Sequence, residues 1–350
     1  MRATLTAALV AALVAALVVL GACSSPAPAP TPPAPAAAAP SVALATPAGT
    51  VETKTFHSDA LGVDKKVVVY LPAGYAAAPA KHYPVYYYLH GLGGDETNWL
   101  AGGKLDAQAD QLGLQAIVVM PDGDDSFYTD SPTPIDYDEC MKSGAGLFFP
   151  QREHKATCVR APRYETYITK DLVGWVDATY RTLATREGRG IAGLSMGGYG
   201  ALMLGLRHQD EFAAAASHSG VVALLYAGPH PYAAGQVKLV DDPKGYGRAA
   251  GNIGEWIASR FGPNIEDFRA RDPAALVGKL APGAIALYLD CGTEDDFKLN
   301  DSASYVHDLL TARHIEHTFF LGPGAHNFDF WGPRLPMSLA FMRAHVAAAK

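Results

Sequence analysis

The chain has 350 residues, 49% of them hydrophobic and 18% charged, with 28 Lys and Arg against 35 Asp and Glu for a formal charge of −7. That length and apolar content can bury one large core and exclude a disordered or fibrous chain. The acidic balance and the lack of any basic block exclude nucleic acid as an expected partner.

In chain order, residues 1–22 carry one charge, Arg2, then an unbroken small and apolar run from Ala7 to Leu20. This predicts an export signal. Its ending, Leu20-Gly21-Ala22-Cys23, resembles a bacterial lipobox, which implies cleavage before Cys23, acylation of that residue, and a membrane-anchored lipoprotein at the periplasmic or cell surface. An ordinary cleaved signal, giving a secreted protein, and an uncleaved membrane helix are the alternatives, since the run is nearly long enough to span a bilayer. Residues 23–49 continue almost entirely in Pro, Ala, Ser and Thr, a composition suited to an extended spacer.

A catalytic domain is expected over residues 50–350. The runs Lys65 to Leu71, Val85 to Leu89 and Ala116 to Met120 read as strands, the latter two ending in His-Gly and Pro-Asp-Gly. Between Tyr164 and Leu183 apolar residues recur at helical spacing, and Ile191 to Leu194 follows as a short strand. Later strands are expected over Phe212 to Ala216, Ala284 to Leu289 and Thr318 to Leu321, with helices over Ser304 to Ala312 and Leu335 to Ala348. Alternating strands and helices predict an α/β fold with a mostly parallel central sheet flanked by helices. Two long segments rich in Gly, Pro and aromatics, Tyr128 to Pro162 and Leu224 to Arg271, interrupt the alternation and are expected as cleft-forming insertions. Cys140 and Cys158 share the first, and an exported protein permits a disulfide between them. Cys291 is expected as a small buried filler.

The run Gly193-Leu194-Ser195-Met196-Gly197 between a strand and a small-residue helix reads as a nucleophile elbow. A serine needs a base to take its proton and an acid to fix that base's tautomer. In chain order after the serine, Asp290-Cys291-Gly292-Thr293-Glu294-Asp295-Asp296 ends one strand and Gly322-Pro323-Gly324-Ala325-His326 ends the next. His326 is therefore the expected base, with His218 as its rival, and Asp295 the expected acid, with Glu294 and Asp296 as alternatives. His314 and His317 have metal-pair spacing but no third ligand, so no metal and no cofactor is expected. Oxyanion donors are expected from the backbone N–H groups of Met196 and of Leu92, in the Gly-rich run His90-Gly91-Leu92-Gly93-Gly94. His90 itself is expected to be structural. The aromatics Trp99, Phe127, Tyr128 and Trp331 sit near strand ends and are expected to line an acyl or aglycone pocket, plain packing being the alternative.

Several of these motifs carry a family resemblance: His90-Gly91-Leu92-Gly93-Gly94, Met120-Pro121-Asp122-Gly123, Ser126-Phe127-Tyr128-Thr129-Asp130, the elbow, Gly292-Thr293-Glu294-Asp295 and His326 to Trp331. From about Val51 to Ala348 the chain resembles the esterase family of α/β-hydrolases that includes esterase D, feruloyl and acetyl xylan esterases and the secreted mycolyltransferases. The resemblance implies an α/β-hydrolase fold and a triad of Ser195, Asp295 and His326. Within the family the chain departs from the mycolyltransferases at Gly197, where they have alanine, and at His90 and Asp295, where they have aspartate and glutamate. The expected activity is hydrolysis of small-molecule or saccharide esters through an acyl-enzyme. Acyl transfer to a sugar or alcohol, and binding by a catalytically dead hydrolase fold, are the alternatives.

Overall fold

The computed structural model describes residues 48–242, 254 and 256–350. The expected signal segment, Cys23 and nearly all of the spacer fall outside the described residues, as does part of the second insertion. Eight strands form one sheet in the order β1-β2-β4-β3-β5-β6-β7-β8. They are β1 (Thr50–Ser58), β2 (Val63–Leu71), β3 (Val85–Leu89), β4 (Ile117–Pro121), β5 (Arg189–Leu194), β6 (Ala214–His218), β7 (Ala286–Gly292) and β8 (Thr318–Gly322). β1 and β2 are antiparallel, as are β2 and β4, while the strands from β4 through β8 run parallel. This mostly parallel sheet flanked by helices is the α/β-hydrolase fold.

The central strands are apolar on both faces because both faces are covered. In β3, Val85, Tyr87 and Leu89 join one buried cluster, while Tyr86 and Tyr88 join the cluster on the other side. β4 divides in the same way, with Ile117 and Val119 on one face and Val118 and Met120 on the other. Each such side chain removed from water contributes about 1.5–3 kcal/mol.

Several elements differ from the sequence expectation, among them the following three. β1 was not foreseen because it is an edge strand whose only buried residues are Phe56 and Ser58, so it carries no apolar alternation. The strand expected over Phe212 to Ala216 runs Ala214–His218, which puts His218 inside the sheet. The last helix begins at Phe328 rather than Leu335, because the Asn327 side chain caps it by accepting the Asp329 N–H at 3.0 Å, and it continues to His345 through Pro333 and Pro336.

The first insertion contains the short helices Tyr137–Ser143 and His154–Thr157, joined by the Cys140–Cys158 disulfide. Cys291 is buried and unbridged.

Candidate active site

The parallel strands deliver their carboxyl ends to one edge of the sheet, and the loops leaving them build the site. The elbow follows β5. There Ser195 adopts φ 53° and ψ −117°, a conformation costing a non-glycine residue about 1–3 kcal/mol, and its N–H donates to the His218 carbonyl at 2.8 Å. The helix Met196–Arg207 packs so closely behind β3 that a Cβ on Gly197 would lie 2.4 Å from the Leu89 carbonyl oxygen. Only glycine fits there without a shift.

His326, in the loop after β8, brings Nε2 to 2.9 Å from Ser195 Oγ and Nδ1 to 2.7 Å from Asp295 Oδ2. With Nδ1–H donated to the carboxylate, the neutral ring turns its Nε2 lone pair toward the serine hydroxyl. Asp295 is fully buried. Its Oδ1 accepts the N–H groups of Phe297 at 3.0 Å and Leu299 at 3.2 Å, and its Oδ2 faces the Cys291 thiol at 3.7 Å. Burial pushes that thiol's pKa well up, so it remains a thiol.

The two alternative acids do not reach the ring. Asp296 accepts the His326 backbone N–H at 3.3 Å, and Glu294 accepts the Gly324 N–H, a bond that lowers its pKa. Three adjacent carboxylates thus divide one loop, one holding the ring and two holding the backbone. The rival base, His218, is fully buried and bonded to Asp290 and Ser338 instead. His317 takes a nitrogen of His307 at 2.7 Å.

The loop after β3 turns at Gly91–Gly94, closed by the Gly94 N–H to Gly91 carbonyl bond at 2.9 Å, with Gly93 at φ +79° in a left-handed position. Buried His90 pins this turn, its Nδ1 2.8 Å from the Gly91 carbonyl oxygen and its Nε2 accepting the Gly123 N–H at 2.9 Å. From the outside, Arg152 of the disulfide-bridged insertion donates to the Gly93 and Gly94 carbonyls, while Asp125 accepts the Gly93 N–H at 2.7 Å. Leu92 and Met196 both line the cavity at Ser195. As the first residue of its helix, Met196 has an N–H without an intrahelical acceptor.

That cavity, of about 540 Å³, is lined mainly by apolar groups, among them Leu92, Phe127, Val221, Phe297, Phe328 and Trp331. Ile257 of the second insertion also contributes, whereas the described first insertion acts on the site through Arg152 rather than as a wall. Of the four aromatics expected to line a pocket, Phe127 and Trp331 do so. Trp99 and Tyr128 do not, and that expectation is corrected: both are buried props. Trp99 donates its indole N–H to the Leu89 carbonyl at 3.0 Å, and the Tyr128 hydroxyl donates to the His90 carbonyl at 3.1 Å, so both brace the end of β3. Phe297 was missed in the sequence. It is 60% exposed and stands edge-to-face on His326 with ring centroids 4.8 Å apart, and Trp331 stands similarly at 4.9 Å on the same ring.

Behind the His90 loop lies a buried charged cluster. Lys65 Nζ contacts Asp122 and Asp124, each at 2.8 Å, and the Ala156 carbonyl at 2.9 Å. Although burial opposes it, Lys65 holds Asp122 well below the usual carboxylate range. Burial and the neighbouring Asp122 charge push Asp124 up to about 7.

A family model described as "Putative esterase" matches residues 58–342. Esterase Rv1288 of Mycobacterium tuberculosis is 31% identical over 169 residues, which take in 48% of this chain and 32% of that protein, so the chain spans about a third of that relative's length. The diacylglycerol acyltransferase/mycolyltransferase Ag85A of the same organism is 27% identical over 314 residues, covering 84% of this chain and 80% of that one. Among solved structures, a ferulic acid esterase superposes with a TM-score of 0.63 at 22% identity, over 86% of this chain and 99% of its own.

Proposed function

The chain belongs to the "Putative esterase" family, and we propose that it is an exported serine carboxylesterase, tethered through Cys23, that hydrolyses carboxylic esters, with acetyl and feruloyl esters of saccharides as its substrate class. The observation that carries this reading is the hydrogen-bonded run from Asp295 through His326 to Ser195 Oγ, with bonds of 2.7 and 2.9 Å, opening into an apolar cavity. His326 takes the Ser195 proton as Oγ bonds to the ester carbonyl carbon. The N–H groups of Leu92 and Met196 hold the negative oxygen of the tetrahedral intermediate. Collapse breaks the bond to the alcohol, which leaves with the proton from His326. Water, deprotonated by His326, then attacks the acyl-enzyme, and the acid departs with Ser195 restored.

The cavity's size is within the range of small-ligand sites, and its aromatic mouth suits an acyl or aryl group of modest length. The export reading is supported by the apolar run before Cys23 and the Pro/Ala tract after it. A second reading, acyl transfer to a sugar or alcohol, is favoured by the likeness to Ag85A over 84% of the chain. The two readings differ only in what attacks the acyl-enzyme. Steady-state turnover of p-nitrophenyl acetate and methyl ferulate, with glycerol or glucose added, separates them. Free acid as the main product supports the hydrolase, acylated alcohol as the main product supports the transferase, and no turnover of either ester overturns both.

A further inference from the structure

His218 ends β6 and has no exposed surface. Its Nδ1 lies 2.9 Å from both carboxylate oxygens of Asp290 in β7, and its Nε2 lies 2.9 Å from Ser338 Oγ in the last helix. Ser338 meets the Tyr88 hydroxyl of β3 at 3.0 Å, and Asp290 also accepts from the Tyr288 hydroxyl at 2.7 Å and Arg334 Nε at 3.1 Å. This buried polar chain crosses the core between elements that carry the reacting groups. β7 leads into the loop of Asp295, and the last helix follows directly on His326.

The backbone around His218 touches the site itself. Its carbonyl accepts the Ser195 N–H at 2.8 Å. The next residue, Ser219, is held at φ 44° with its N–H on the Asp290 carbonyl at 2.7 Å, and its Oγ accepts the Trp331 indole N–H at 3.0 Å. Trp331 in turn packs on the His326 ring. Ser195 and Ser219 both occupy a strained positive-φ conformation, which persists only where neighbouring structure over-determines it. A fully bonded polar network rigidifies its surroundings, whereas apolar side chains of similar volume would stabilise such a core equally well.

We propose that His218 is a positioning residue for the reaction: bridging Asp290 and Ser338, it fixes the backbone at 218–219 that sets Ser195 and, through Trp331, His326 in register. This rests on the serine-esterase reading above. A displacement of about 1 Å between reacting groups costs on the order of 10²-fold in rate. The test compares His218→Gln and Ser338→Ala with the unaltered protein, measuring kcat and KM on p-nitrophenyl acetate per site titrated with a fluorophosphonate, together with the rate of fluorophosphonate inactivation. In His218→Gln the per-site kcat and the inactivation rate both fall by about 10²-fold with KM within about threefold. In Ser338→Ala, which removes one hydroxyl and keeps the ring, both fall by about tenfold, and this variant decides the matter if His218→Gln does not fold. Unchanged per-site kcat and inactivation rate, with only the melting temperature or the fraction of titratable sites lowered, overturn the proposal. An unaltered protein that neither titrates nor turns over ester overturns the esterase reading and this proposal with it.

Discussion

Two chains of serine, histidine and aspartate run through the described part of the molecule, and similar distances hold each together. In Ser195–His326–Asp295 the bonds are 2.9 and 2.7 Å, and in Ser338–His218–Asp290 both are 2.9 Å. What separates them is everything around the serine. Ser195 sits on a strained turn facing a cavity of about 540 Å³, at the start of a helix whose first N–H has no intrahelical acceptor. Ser338 lies fully buried in a helix interior, where its hydroxyl donates to the Leu335 carbonyl at 3.1 Å, and nothing can approach it. Hydrogen-bond lengths alone therefore do not make a nucleophile. A strained mount, an adjacent oxyanion cradle and room for the substrate do.

The comparison breaks most sharply at the serines. Ser195→Ala should reduce kcat by about 10⁴-fold or more, while Ser338→Ala loses only about tenfold. Equal losses in ester turnover would erase the distinction. Next come the acids. Asp295→Asn should cost about 10³- to 10⁴-fold by releasing the His326 tautomer. Glu294→Gln and Asp296→Asn, whose carboxylates hold backbone N–H groups of the loop and, for Glu294, the Thr293 hydroxyl rather than the His326 ring, should cost tenfold or less in the same assay.

A pH scan sharpens a further contrast, between Asp122, held ionised beside Lys65, and its neighbour Asp124. Asp124 is raised to about 7 in the folded chain from an ordinary value of 3.8, so the folded state binds its proton more tightly than the unfolded state does. The stability it contributes is complete below pH 4 and is lost as pH rises through about 7. Asp122, shifted the other way, acts only at more acidic pH. Urea denaturation should show stability falling across pH 4 to 7, and Asp124→Asn should flatten that decline. The smallest expected effect is on the elbow's strain. Ser195→Gly should raise unfolding stability by about 1 kcal/mol by relieving its positive φ, whereas Ser338→Gly should lower it, by about 0.5 kcal/mol through helix propensity alone.

Residues that must lie at strand ends beside glycine were legible in the chain. The elbow, the acid cluster after β7 and His326 after β8 are placed by turn chemistry, which is local. What a side chain does across space was not. Trp99 and Tyr128 sit in the same kind of segment as Phe127 and Trp331, yet they point inward to brace β3, and no periodicity distinguishes them. The division of labour among Glu294, Asp295 and Asp296 depends on the pitch of a tight loop, which one residue more or less would rotate. Phe297 escaped notice because a phenylalanine two positions after an acid ordinarily belongs to a core, while here it is 60% exposed at the cavity mouth. The edge strand β1 lacked the apolar pattern that betrayed the buried ones. His218 was visible only as a competitor for the role of base, since its bonds to Asp290 and Ser338 join residues 72 and 120 positions away.

The central claim, that the solvent-facing set holds the nucleophile, is tested most directly by treating the purified protein with a fluorophosphonate, digesting it, and locating the adduct by mass spectrometry. The account predicts one phosphonylated serine per chain, on the peptide containing Ser195, and none on that containing Ser338. An unmodified Ser195 peptide, with the adduct elsewhere or absent, would contradict it.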